Sequence, residues 1–112
     1  MNLLEELVRR GFTFHVFEAY PKQLGAVKSN FIVLLDVSDD GRWMRFSSPG
    51  RLIDDQIGLL IERGGKQVFM HKTTEFPADA IILEQYRQFN REIDEVLALQ
   101  KRANESAPAD SA

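Results

Sequence analysis

His15 and His71 are the only two histidines in a chain of 112 residues that has no cysteine, so they are its natural candidates for proton transfer near neutral pH. Both fall in stretches with strand character, and a sheet can bring distant strands together. A His15/His71 pair would therefore be the simplest arrangement for acid–base chemistry. The competing role is a hydrogen-bonded or partly exposed strand histidine. Neither has a partner at His-x-x-x-His spacing, and without cysteine a metal site would need carboxylates recruited from elsewhere, so no metal or cofactor is expected. A second constellation is Asp36 and Arg45, set opposite each other across a hairpin beside Ser38 and Trp43. A guanidinium next to an indole can grip the carboxylate or phosphate of a small ligand. The competing reading is a cross-strand ion pair worth a few tenths to about 1 kcal/mol. His15, Asp36, Trp43, Arg45 and His71 are thus the candidate ligand-binding set, for a pocket between sheet and C-terminal helix. Ser47, Ser48, Thr73 and Thr74 lack a nucleophile setting such as G-x-S-x-G, and neither Gly64-Gly65-Lys66 nor Ser48-Pro49-Gly50 has the P-loop pattern. No catalytic residue is identified, and the sequence favours a non-enzymatic role.

Composition narrows the partners. A formal net charge of −3 argues against a dedicated nucleic-acid binder, whose affinity comes from neutralising phosphates. No run approaches the roughly 18 to 20 apolar residues that span a bilayer, and Met1-Asn2-Leu3-Leu4-Glu5-Glu6 is unlike the basic opening of a secretory signal. Together with the absence of cysteine this gives a cytoplasmic protein as the expectation. The chain reads as one α+β domain over residues 1–102 followed by a disordered tail over 103–112, which is small, polar and contains Pro108.

The elements that must position these residues are organised around Ile57-Gly58-Leu59-Leu60-Ile61-Glu62 and Gln67-Val68-Phe69-Met70-His71-Lys72, which flank Gly64-Gly65. A Gly-Gly pair takes the positive φ angles of a two-residue hairpin turn freely. That turn fixes the register: Arg63 opposite Lys66, Ile61 opposite Val68, Leu59 opposite Met70, with Leu60/Phe69 on the other side. Ahead of it, residues 2–10 read as a short helix capped by Asn2, with Leu3, Leu4, Leu7 and Val8 as its stripe and Gly11 past its end. Glu5/Arg9 and Glu6/Arg10 are expected as i,i+4 pairs. Phe12–Tyr20 alternates as a strand ended by Pro21, and residues 21–29 read as a loop. Asn30–Val37 is a strand apolar on both faces. With Asp40-Gly41 as central turn residues, Asp36 would face Arg45, Val37 would face Met44 and Leu35 would face Phe46. Ser48, Pro49 and the apolar residues after them would also suit a helix, but Gly58 inside it would cost about 1 kcal/mol, so the strand is preferred. A long helix over Asp79–Arg102 carries Ile82, Tyr86, Phe89, Ile93, Val96 and Gln100 on one stripe, widened by Leu83 and Leu97.

The expected fold is a twisted antiparallel sheet of about five strands with a short N-terminal and a long C-terminal helix packed on it. The helix is expected to cover Val33, Leu35, Val37, Met44, Phe46, Leu59, Ile61, Val68 and Met70. A second apolar set, Ile32, Leu34, Leu60, Phe69 and Trp43, is then left for another cover, and surplus of this kind marks interaction surfaces. The leading functional expectation is a homodimeric protein-interaction or adaptor domain, with Tyr86, Phe89 and Ile93 as interface residues. The alternative is a small-ligand module or enzyme. Lys22 and Lys28 in the first long loop, with Arg42, could bind an anionic headgroup, and that loop with a closing helix resembles pleckstrin-homology domains. The chain departs from them in its leading helix, its fewer evident strands and the absence of Trp from the terminal helix, and no function is carried across.

Overall fold

The computed structural model describes residues 2–106, with side chains through residue 100. Its elements are α1 (Leu3–Arg9), β1 (Thr13–Phe17), β2 (Tyr20–Lys28), β3 (Phe31–Val37), β4 (Trp43–Arg45), β5 (Gly50–Ile53), β6 (Gln56–Arg63), β7 (Lys66–His71), β8 (Thr74–Pro77) and α2 (Ala80–Ser106). The strands form one sheet in the order β1-β2-β3-β5-β6-β7-β8, with β4 paired to the other half of β3. The class is α+β, with eight strands where about five were expected.

Three strands were hidden in the sequence. Residues 21–28 belong to β2 rather than to a loop. Pro21 is tolerated because the β1–β2 register is irregular there, passing from His15↔Gly25 to Phe17↔Tyr20, so no ladder bond is demanded of a proline nitrogen. The second is β5, entered from Ser48-Pro49 and turned into β6 by Asp54-Asp55, whose φ angles are +50° and +62°. Ser29-Asn30, at +54° and +69°, turns β2 into β3 in the same way, and Gly64-Gly65, at +61° and +80°, turns β6 into β7. All three are two-residue turns with positive φ at both positions, the geometry that matches strand twist. β8 is the third hidden strand, pairing Phe76 with Phe69.

The central hairpin has the register read from its turn, from Arg63↔Lys66 to Leu59↔Met70. The β3–β4 hairpin does not. Leu35 lies opposite Arg45, Asp36 opposite Met44 and Val37 opposite Trp43. Asp39, Asp40 and Gly41 all belong to the loop, closed by the Ser38 N–H donating to the Arg42 carbonyl at 2.8 Å, with Gly41 at φ +84°. This three-residue loop shifts the pairing by one residue, and a one-residue shift moves each side chain of β4 to the other face.

Both helices cover the same sheet face. Their core joins Leu3, Leu7 and Phe12 to Ala26, Phe31, Val33, Leu35, Ile53 and Phe69 on the sheet and to Phe89, Ile93 and Val96 on α2. Ring contacts run through it, Phe12 to Phe89 at 5.5 Å, Phe31 to Phe89 at 5.9 Å and Phe69 to Tyr86 at 5.4 Å. The expected assignment of faces is corrected here. Leu60, Phe69 and Trp43 pack in this core beside Val33 and Leu35, whereas Met44, Phe46, Leu59 and Ile61 are left exposed. The cause is β5, which sets the phase between two halves of the sheet: Phe31 pairs with Arg51 and Arg51 with Gly58. Phe17, Ile32 and Leu34 make a smaller core on the opposite face, with Val27, Leu52 and Ile57 around it.

The helix ends follow local chemistry. The Asn2 side chain accepts the N–H groups of Leu4 and Glu5 at 3.0 and 3.3 Å. Glu6 takes both Arg9 and Arg10, at 2.8 and 3.0 Å, in place of the expected Glu5/Arg9 pair. Asp79 caps α2 through the Ile82 N–H at 2.9 Å. Helix α2 runs to Ser106, beyond the expected end at Arg102. Residues 107–112 of the expected tail lie outside the described residues.

Candidate functional site

The five candidate ligand residues are not gathered in one place. His15 is exposed on edge strand β1, its ring 4.6 Å from that of Phe17, and His71 is half-buried at the end of β7, with β2, β3, β5 and β6 between the two strands. No paired acid–base site forms between them. The shifted β4 register separates Asp36 from Arg45. Asp36 lies on the open face beside Met44, whereas Arg45 reaches α2 and binds Asn90 Oδ1 at 2.6 Å, the Asn90 carbonyl at 3.2 Å and Asp94 Oδ1 at 2.7 Å. Trp43 packs against the main core. Lys28, expected as a headgroup ligand, lies 2.9 and 3.1 Å from the two Glu92 oxygens and 5.3 Å from the centre of the Phe12 ring.

A cleft between sheet and α2 does exist, but other residues make it. Its volume is about 470 Å³ and it is lined by Lys28, Ser29, Phe31, Gln85, Gln88, Phe89 and Glu92. Phe31 and Phe89 supply an apolar wall, and the Lys28–Glu92 pair places both signs of charge at its side. The sequence signal for it was the Ser29-Asn30 turn, which brings the end of β2 under α2, but without glycine that turn is not legible. His15 lines a separate cleft of about 580 Å³ with Glu18, Pro21, Asp55 and Gln56, on the β1 side of the sheet.

The larger feature is the open sheet face. Tyr20, Met44, Phe46, Leu59 and Ile61 are 38%, 43%, 46%, 49% and 38% exposed. Tyr20 and Phe46 touch edge to face, with ring centres 6.0 Å apart. Leu59 stands opposite Met70 and Ile61 opposite Val68. Gly50, opposite Leu59, is buried and has no room for a side chain, since a Cβ there would lie 2.5 Å from the Gly58 carbonyl oxygen. Arg63 and Glu75 form an ion pair of 2.8 Å at one margin, with an Arg63 nitrogen 3.7 Å from Met70 Sδ, and Asp36 lies at another. The expected interface residues behave differently. Phe89 and Ile93 are 2% and 1% exposed, and the Tyr86 hydroxyl donates to the Pro49 carbonyl at 3.1 Å. That stripe is used up by the chain's own core, because the sheet face beneath it is apolar across several strands.

Among the described residues no helix is long and apolar enough to cross a membrane, and no three His, Asp or Glu side chains are grouped to hold a metal ion. No protein-family model, curated protein or solved structure matches the chain.

Proposed function

We propose that the chain is a cytoplasmic protein-interaction domain that self-associates by packing its open sheet face against that of a second copy. The observation that carries this reading is the set Tyr20, Met44, Phe46, Leu59 and Ile61, left in water on a face that neither helix covers. Facing sheets pack about 10 Å apart with interdigitating side chains, and an apolar face of this kind is complementary to itself under a twofold axis. These side chains expose on the order of 400 Å², an apolar centre for the roughly 800 Å² per partner of a standard interface. The mixed charges at its margins, Asp36, Arg63 and Glu75, suit a twofold contact in which opposite signs meet.

Light scattering after size exclusion tests this directly. The expected result is a dimer whose mass falls to that of the monomer in the Phe46→Asp/Leu59→Lys double variant, with an unchanged circular dichroism spectrum. A monomer at high concentration, or a double variant that still dimerises, overturns the reading.

A second reading rests on a separate observation, the cleft over Phe31 and Phe89. It would make the chain a small-ligand module, with Gln85 and Gln88 as amide partners for a ligand and the Lys28–Glu92 pair beside them. Screening small polar aromatic compounds by chemical-shift changes at Phe31 and Gln85 tests it. Shifts that never saturate would remove it.

A further inference from the structure

Arg51 stands on the helix-covered face, between Phe31 on β3 and Gly58 on β6 in the same cross-strand row. Its guanidinium carbon lies 4.0 Å from the centre of the Phe76 ring on β8 and 5.4 Å from that of Phe31. The Nε atom is buried and has no hydrogen-bond partner, which holds for no other buried side-chain nitrogen or oxygen among the described residues.

The other cations on this face are answered by specific groups. Lys28 has Glu92, Arg45 has Asn90 and Asp94, and Arg10 has Glu6 and Glu95. None of the ion pairs among the described residues includes Arg51. Burial accordingly lowers its pKa, with no opposing contribution from a carboxylate. Arginine nevertheless stays charged in proteins. A partly desolvated charge with an orphaned donor is a cost that a counter-ion would remove, and ring contacts offset only part of it. A guanidinium is planar, and its paired N–H donors match two oxygens of a carboxylate or phosphate.

We propose that Arg51, held between Phe76 and Phe31, is the anchor of a site for a small oxyanion, a carboxylate or a phosphate. The site is independent of self-association, because Arg51 lies on the face opposite Leu59 and Phe46.

The test is a titration of the full chain with sodium phosphate, and separately with sodium acetate, each against sodium chloride at matched ionic strength. The Arg51 Nε–H resonance and the melting temperature are followed in the wild type, and the melting temperature also in Arg51→Met. One of the two anions is expected to shift the Arg51 resonance along a saturating curve and to raise the melting temperature by several degrees in the wild type but not in the variant. Which anion saturates at the lower concentration assigns the class. In chloride alone, Arg51→Met should melt no lower than the wild type, since it removes an uncompensated charge and keeps apolar volume. Overturning results are a resonance that responds to neither anion beyond chloride, or a variant that melts clearly lower in chloride, which would make Arg51 a packing strut between two rings. A variant that fails to fold counts with the lower-melting result.

Discussion

Gln100 gives both ends of its side-chain amide to the backbone of Trp43: Oε1 accepts the Trp43 N–H at 2.8 Å and Nε2 donates to the Trp43 carbonyl at 2.9 Å. These are the two bonds a neighbouring strand would make. β4 pairs only with β3, so α2 closes a sheet edge that would otherwise be open to another chain. Gln100→Ala should cost about 1 to 2 kcal/mol in urea denaturation. Gln100→Glu should cost at least as much despite its shape, because a carboxylate cannot donate to the Trp43 carbonyl.

Arg45 ties the same strand to α2 through Asn90 and Asp94. Asp94 is 69% exposed at its side chain, so Asp94→Asn should change stability by less than about 0.5 kcal/mol. Arg45→Met should cost about 1 to 2 kcal/mol, because it also strips the half-buried Asn90 groups of their donor. Chemical denaturation of both variants separates the two contributions.

Gly50 on β5 and Gly58 on β6 lie one register step apart, opposite Leu59 and Arg51 respectively, and differ in what surrounds them. A Cβ at Gly50 would meet the Gly58 carbonyl oxygen at 2.5 Å, and one at Gly58 would meet the Cδ1 methyl of Ile53 at 2.5 Å. Backbone cannot move aside and a methyl can be removed. Gly50→Ala should therefore cost more than about 3 kcal/mol and Gly58→Ala about 1 to 3 kcal/mol. Adding Ile53→Val should recover part of the Gly58→Ala loss and none of the Gly50→Ala loss, read as a double-mutant cycle.

Tyr86 is held protonated by the fold: desolvation raises its pKa above the ordinary value near 10, and its hydroxyl donates to Pro49. Below that ordinary value its contribution is fully present. As pH rises through about 10 and on toward the raised value, the unfolded chain ionises first and the contribution is lost. The stability advantage of the wild type over Tyr86→Phe, measured by urea denaturation, should be constant from pH 7 to 9 and shrink above pH 10. A constant difference up to pH 11 would contradict this.

What the sequence disclosed followed from residues whose local chemistry allows a single geometry. Gly64-Gly65 permits one kind of tight turn, so the β6–β7 register was legible to the residue. Asn2 and Gly11 marked α1, and the spacing from Ile82 to Gln100 identified the inner side of α2. Asp54-Asp55 and Ser29-Asn30 make the same turn as Gly-Gly, but these residue types also occupy caps and ordinary loops, so β5 and β2 left no comparable mark. Asp39-Asp40-Gly41 suits either a two-residue or a three-residue loop, and the difference decided whether Arg45 met Asp36 or α2. The open face was readable as a surplus of apolar residues. Its membership was not, because that depends on Phe31↔Arg51, a pairing between β3 and β5, which have no shared turn to fix it.

Every strand pairs with a near neighbour in sequence, so each hairpin can close over a short loop as soon as its residues are available. The helix that shields the main core comes after all of them. On a ribosome the sheet would therefore be assembled, or ready to assemble, with only α1 on that face, and Phe31 and Phe69 would still lack the rings of Phe89 and Tyr86 that pack on them. Synthesis of α2 completes the cover on that face, and until then its apolar side chains are open to the association to which partly folded chains are prone.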